Sequence, residues 1–276
     1  MKDESLIIGR IPYANLYPMF YYLHTQISRT RYKFISGVPS TLNRLLREGR
    51  LDISPSSSVE FLQHRNDYEI LPWFSVSSCG EIRSILLFST VPIEKLNGQT
   101  IAISTESDTS TMLLKIILNQ FYSIKCKFQR ISGESVRTTL THLPAVMHIG
   151  DTALIEAKNI TQDQHLNKEN IHIYDLGEIW QQHTSLPFVY ALWVARKDLS
   201  QEKKSLLNAL SRDLLDAKEY MRENLPLIAR EAPQKEWLGG KELLDYWNLI
   251  SYDLTKSHME GLTLFDKYAK KLNAEN

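Results

Sequence analysis

The chain has 276 residues, 43% of them hydrophobic and 23% charged, which excludes a disordered or fibrous protein and allows one large domain or two ordinary ones. Its 32 basic and 32 acidic residues cancel. A balanced surface has no general attraction for nucleic acid or anionic membranes, so any anion must be held by local geometry.

The first ninety residues alternate short β-rich runs with helical segments. Leu6 to Ile8 reads as a strand, followed by a helix within Leu16 to Leu23 that tolerates Pro18 only in its first turn. Tyr32 to Ile35 is a second strand. Ser40 is placed to cap a helix with Leu42, Leu45 and Leu46 on one face, and Gly49 stops it. Leu51 to Ile53 is a third strand, and Ser57-Ser58-Val59-Glu60 has capping-box spacing before Phe61 and Leu62. Tyr68 to Leu71 and Ile82 to Ser89 complete this set.

A second unit begins near Pro92, with strands at Thr100 to Ser104, Lys125 to Arg130, Ala145 to Ile149, Ile171 to Tyr174 and Phe188 to Ala195. A helix over Met112 to Leu118 follows the first of them. From Ser200 the pattern turns helical, with Leu206, Leu207, Leu210, Leu214 and Leu215 at helical spacing, and continues past Gly239-Gly240 to Leu272. The alternation implies an α/β protein with mixed, mainly parallel sheets covered by helices on both faces. Two such units and a helical tail suit a two-lobed, periplasmic-binding-protein-like arrangement. The expected crossings lie near Ser89–Thr90 and Ala195–Arg196, giving one lobe of residues 1–89 plus 196–276 and another of 90–195. In that arrangement the ligand occupies a cleft between the lobes, at the carboxyl ends of the parallel strands.

Leu6 to Ile8 is too short for the core of a secretory signal, and no stretch approaches the roughly 20 apolar residues of a membrane span. Cys79 and Cys126 form no C-x-x-C pair and are expected as reduced thiols. The expected location is therefore the cytoplasm.

Three strand-to-helix junctions are rich in hydroxyls: Pro39-Ser40-Thr41, Ser54-Pro55-Ser56-Ser57-Ser58 and Asp108-Thr109-Ser110-Thr111. A helix start offers free N–H groups and about half a positive charge, enough to seat a carboxylate without Lys or Arg. The simpler role of each cluster is capping, but three at junctions sharing a sheet edge point to a binding cleft. Asn15 follows the first strand; its amide can cap a helix, or it can orient a leaving hydroxyl or stabilise developing charge. Asp151 either caps a helix starting at Thr152 or acts as an acid or base. His148, inside an apolar strand, reads as an interior histidine, and His183 has no partner at metal or triad spacing. H-E-x-x-H, G-x-S-x-G, Walker and G-x-G-x-x-G motifs are missing, so motifs name no reaction.

The sequence resembles the chorismate dehydratases of the futalosine route to menaquinone. The resemblance is carried by Ile8-Gly9-Arg10-Ile11-Pro12-Tyr13 with Asn15, Gly37-Val38-Pro39-Ser40-Thr41-Leu42-Asn43, and Gly49-Arg50-Leu51-Asp52-Ile53 running to Ser57-Ser58-Val59-Glu60. It continues through Arg83-Ser84-Ile85-Leu86-Leu87, Ile149-Gly150-Asp151-Thr152-Ala153-Leu154, Asp175-Leu176-Gly177-Glu178-Ile179-Trp180, Leu186-Pro187-Phe188-Val189-Tyr190-Ala191 and Glu260-Gly261-Leu262 with Phe265. These stretches span nearly the whole chain in order.

The resemblance implies the fold of type II solute-binding proteins used for catalysis: chorismate would lose water to give 3-[(1-carboxyvinyl)oxy]benzoate without a metal or organic cofactor. In the family the substrate's own side-chain carboxylate is thought to take the proton, and an Asn in the first strand-to-helix loop is essential. By motif that residue is Asn15. Ser84 is carried over as lining the site, and the candidate substrate-binding set is Ser56, Ser57, Ser58, Ser84, Thr109, Ser110, Thr111, Gly150 and Asp151. The expected partner is a small dicarboxylate, with neither nucleic acid nor membrane; the sequence does not give the oligomeric state. A similar family, the 1,4-dihydroxy-6-naphthoate synthases, depends on a His that aligns with Gly150 here. Departures from the dehydratase pattern are Ser185, where Gly is common, and the serine-heavy Ser54-Pro55-Ser56. A sister-type enzyme and a non-catalytic cytosolic solute-binding protein are the alternatives.

Overall fold

The computed structural model describes residues 5–27, 31–162 and 171–274. The chain divides into two compact units, Met1–Ser77 with Val189–Thr255 and Ser78–Phe188 with Lys256–Asn276. The first unit opens with β1 (Leu6–Arg10), α1 (Tyr17–Thr25), β2 (Tyr32–Ser36), α2 (Pro39–Arg47), β3 (Ile53–Ser57), α3 (Ser58–Gln63) and β4 (Tyr68–Ser78). The second contains β5 (Ile85–Ser89), β6 (Thr100–Ser104), α4 (Asp108–Ile116), β7 (Lys127–Ile131), α5 (Val136–Leu140), β8 (Ala145–Ile149), α6 (Gly150–Gln162), β9 (His172–Asp175) and α7 (Leu176–Thr184). The chain then returns to the first unit for β10 (Phe188–Arg196), α8 (Gln201–Glu231), α9 (Lys235–Leu238), α10 (Gly240–Trp247) and β11 (Ser251–Asp253). Finally α11 (Lys256–Ala274) belongs to the second unit.

The first unit's sheet has the order β11-β4-β10-β3-β1-β2. β1 runs parallel to β2 and β3, while β10 returns antiparallel to β3. Phe20 of α1 packs on Trp193 of β10 and edge-on to Phe34 of β2, at ring separations of 5.7 and 5.9 Å. The buried Asp52 carboxylate accepts from the Ile7 N–H and from Lys203 Nζ, both at 2.8 Å, tying α8 to the sheet. The second unit's sheet is β7-β6-β8-β5-β9, with β6 parallel to β7 and β8, and β5 antiparallel to β8 and β9. One face is packed by Leu86, Phe88, Ala102, Val146 and Ala153.

These pairings move the expected boundaries. β5, expected in the first lobe, is laced between β8 and β9. β10, expected in the second, pairs with β3 from Ala191–Ser57 to Ala195–Ile53. α11, expected with the first lobe, packs in the second unit, where Phe265 lies edge-on to Phe188 and Trp180 at 5.1 and 6.4 Å. Ladder hydrogen bonds and aromatic burial, which are long-range, override the local pattern that suggested the crossings.

Within the units, β3 extends through Ser54-Pro55-Ser56, which the sequence had suggested was an approach to a helix. Small residues here permit close strand approach: a Cβ on Gly9 would stand 2.3 Å from Ser54 Oγ. Ser40 is not a cap; Val38 is, with Pro39 at the first helical position. Likewise α6 begins at Gly150, so Asp151 lies in its first turn instead of capping it. α5, α7 and β11 escaped the sequence reading because they are short or begin in polar stretches.

Gly261 of α11 is fixed by a close approach, since a Cβ there would meet the Pro187 carbonyl oxygen at 2.1 Å. Backbone cannot yield as a side-chain tip can. Gly261→Ala is expected to destabilise the protein by about 1–3 kcal/mol, read as a lower denaturant midpoint. Gly240→Ala, where the added methyl meets open space, should shift the midpoint little.

Candidate active site

In the first unit, the parallel strands β2, β1 and β3 place three loops on one edge: the one carrying Asn15, the start of α2, and the β3–α3 junction. Asn15 sits in a single 3-10 turn, Ala14–Leu16, preceded by the extended Tyr13. It caps nothing: no side-chain capping bond is made at the start of this turn or of α1. Its side-chain amide has no hydrogen-bond partner among the described residues, and Oδ1 is buried. Leaving such an acceptor unpaired costs about 1–3 kcal/mol, which makes it a candidate to take a partner from a bound molecule.

The serines of the β3–α3 junction divide. Ser57 Oγ accepts from the Glu60 N–H at 3.4 Å and from Asn43 Nδ2 at 3.2 Å, so it caps α3. Ser58 Oγ donates to the Val189 carbonyl at 2.6 Å, joining α3 to β10. Ser56 Oγ, fully buried, has no partner among the described residues. Two of the three serines are therefore occupied in holding the fold, and only Ser56 keeps a spare hydroxyl.

In the second unit, β6 and β8 run parallel and β5 antiparallel to β8, so the starts of α4 and α6 meet the amino end of β5 on one edge. The Gly150 N–H donates to the Ser84 carbonyl at 2.7 Å. This brings Ser84, Gly150 and Asp151 together, with Thr109, Ser110 and Thr111 at the neighbouring strand end. Ser107, which sequence reasoning did not single out, is the cap of α4: its Oγ accepts from the Ser110 N–H and from Ser110 Oγ, both at 3.2 Å. Thr111 Oγ1 donates to the Ser107 carbonyl at 3.0 Å. The Ser84 hydroxyl, 3% exposed, has no partner among the described residues.

Asp175 is the group that holds Ser84 in place, and it was quoted from the sequence without a role. Its Oδ2 accepts from the N–H groups of Ile82 and Arg83 at 2.9 and 2.6 Å. Its Oδ1 accepts from those of Gly177 and Glu178 at 2.9 and 3.2 Å, capping α7. One buried carboxylate thus fixes the turn before β5, including Arg83 at φ 58°. Burial pushes the Asp175 carboxyl above its ordinary range, against the pull of those four donors.

His148 is 4% exposed and tilted toward Phe88 at 6.4 Å, and Nε2 finds no partner among the described residues. Burial alone pushes its pKa down, so the ring is neutral. It borders a cavity of about 230 Å³ with Ser104, Glu106, Ser132 and Glu156, on the same edge of the second sheet. Among the described residues no cluster of three or more His, Cys, Asp or Glu could hold a metal ion. No described helix is long and apolar enough to cross a membrane.

A family model described as menaquinone biosynthesis matches residues 6–271. The chain belongs to this family. It is 31% identical over 271 residues to the chorismate dehydratase of Thermus thermophilus, covering 94% of this chain and 93% of that one. It is 26% identical over 237 residues to the 1,4-dihydroxy-6-naphtoate synthase of the same organism, covering 84% and 81%. Among solved structures, a protein of Archaeoglobus fulgidus matches with a TM-score of 0.79 at 16% identity, covering 98% of both chains. A Candida albicans protein described as having the generic periplasmic binding protein fold matches at 0.68 and 11%, covering 99% and 91%. The aliphatic sulphonate binding protein SsuA of Escherichia coli matches at 0.66 and 11%, covering 99% and 87%. The chain therefore has the periplasmic-binding-protein fold, as its strand pattern led us to expect.

The buried, neutral His148 sets a pH dependence. In the unfolded chain it protonates near pH 6.5, in the folded chain only at lower pH, so the unfolded state binds the extra proton and stability falls as pH drops from 7.5 through 6.5 toward the folded value. Denaturant unfolding at pH 7.5 and 5.5 is expected to show a smaller acid loss in His148→Gln than in the parent. An equal loss in both would place the acid sensitivity elsewhere.

Proposed function

We propose that this chain is a chorismate dehydratase, a carbon–oxygen lyase that eliminates water from chorismate to give 3-[(1-carboxyvinyl)oxy]benzoate in the cytoplasm. The observation that carries the reading is the Asn15 amide. It lies on the helix-start edge of the first unit with no hydrogen-bond partner among the described residues, within a sequence that matches a chorismate dehydratase along 94% of its length.

The chemistry demands little acid–base strength. Loss of the ring hydroxyl and a ring hydrogen makes an aromatic ring, so the step is strongly downhill. The Asn15 Nδ2–H can donate to the departing hydroxyl while Oδ1 accepts from it, holding the carbon–oxygen bond in the orientation that elimination needs. The substrate's own side-chain carboxylate takes the ring proton and delivers it to the departing hydroxyl, so that water leaves and the carboxylate is restored. At the start of α4 the acidic Asp108 is exposed and paired with Arg130 at 3.1 Å, which suits that helix start to a carboxylate. On that same unit's edge the Ser84 hydroxyl is a donor for an anion. Fixing the reacting carboxylate near the ring hydrogen gives an orientational gain that can reach several kcal/mol.

The 1,4-dihydroxy-6-naphthoate synthase reading has one observation against it. The position that aligns with that family's histidine is Gly150, which has φ 59° and whose N–H is bound to Ser84. A histidine there would be strained.

Purified protein mixed with chorismate and no added metal should yield an aromatic product, followed by absorbance and mass. Asn15→Ala is expected to lower kcat by about 10²–10³-fold with a melting temperature no lower than the parent's, because the unpaired acceptor is removed. Chorismate bound but unaltered would instead mark a binding protein. Turnover of a cyclic dehypoxanthine futalosine-type substrate, with chorismate untouched, would mark the sister enzyme.

A further inference from the structure

We infer that Trp247 and Tyr252 are positioning residues for Asn15, acting through the two peptide planes that flank its Cα. This rests on the reading of Asn15 given above and extends it to residues more than two hundred positions downstream.

Trp247 Nε1 donates to the Ala14 carbonyl at 2.8 Å, and Tyr252 Oη donates to the Asn15 carbonyl at 2.5 Å. The Ala14 carbonyl belongs to the peptide that enters Asn15, and the Asn15 carbonyl to the peptide that leaves it. Their neighbouring backbone groups are also engaged: the Tyr17 N–H donates to Ala14, and the Leu16 N–H to the Tyr13 carbonyl at 3.2 Å. With both planes fixed, φ and ψ of Asn15 are fixed, and so is the direction of its Cα–Cβ bond. Only the two side-chain torsions remain for the amide to find its orientation.

A 3-10 turn of three residues cannot supply this rigidity alone, because it is a single turn with poor hydrogen-bond geometry. The clamp itself is firmly seated. Trp247 is 2% exposed and stacks on Tyr17, with ring centroids 6.3 Å apart and planes 4° from parallel. Tyr252 is 8% exposed and stands in β11, whose residues before and after it, Ser251 and Asp253, pair with Ser77 and Phe74 of β4. Ser77 Oγ donates to the Ser251 carbonyl at 3.1 Å, Ser75 Oγ to that of Asp253, and Lys218 pairs with the Asp253 carboxylate. Burial pushes the Tyr252 phenol well above its ordinary pKa, so it remains a donor throughout the working pH range.

Neither residue belongs to the carboxyl-end loops of β1, β2 and β3, so a role in the reaction runs through Asn15. Misplacement of a reacting group by about 1 Å can cost about 10²-fold in rate. Loss of one of the two clamping bonds is a smaller disturbance, and about a 10-fold loss is expected.

The test is steady-state turnover of chorismate by Tyr252→Phe and Trp247→Phe, alone and combined with Asn15→Ala. Tyr252→Phe deletes one oxygen and keeps the ring. Each single variant should lower kcat about 10-fold, with KM within about twofold of the parent and a melting transition that remains cooperative. In the Asn15→Ala background, Tyr252→Phe should change the residual rate by less than twofold, because the group it positions is gone. Unchanged kcat in both single variants would overturn the inference. So would an equal fold-loss in the presence and absence of Asn15, which marks a general structural role. If Asn15→Ala itself keeps full activity, the reading of Asn15 fails first. An inactive Asn15→Ala beside fully active Tyr252→Phe and Trp247→Phe defeats the clamp alone.

Discussion

Parallel pairing of β1 with β2 and β3, and of β6 with β7 and β8, is the constraint from which each unit's working edge follows. Strands that run the same way deliver their carboxyl ends to one side, and the helices that follow must start there. Asn15 and Ser57 thereby share an edge in one unit, as do Ser84, Gly150 and Thr109 in the other. The returning strands β5 and β10 are antiparallel. For β5 this brings the amino end, with Ser84, to the same edge as the starts of α4 and α6.

On those edges the polar groups fall into two kinds. Most hydroxyls are consumed by the fold: Ser57 caps α3, Ser107 caps α4, and Ser58 ties α3 to β10. A few have no partner among the described residues: the Asn15 amide, Asn43 Oδ1 and the hydroxyls of Ser56 and Ser84. An unpaired group at a strand's end, where ligands bind in such sheets, is a candidate for contact with a ligand. This separates candidates that the sequence could only group together.

Two of these residues are each held by a distant group through backbone. Asp175 grips four N–H groups and fixes the turn before Ser84. Trp247 and Tyr252 grip two carbonyls and fix Asn15. Backbone anchoring leaves the side chain free of bonds while limiting where it can be, which suits a group that must meet a substrate.

The sequence by itself determined the α/β class, most strands and the long helices, because hydrophobic period and turn residues are local. Through its resemblance to a known family it also pointed to Asn15 and Ser84. It misplaced the unit boundaries at Ser89 and Ala195, took Ser40 and Asp151 for caps where they lie inside their helices, and gave no role to Asp175, Trp247 or Tyr252. Those matters depend on which strands pair and which side chains reach a carbonyl hundreds of residues away. Such contacts leave no local period, so only the tertiary structure decided them.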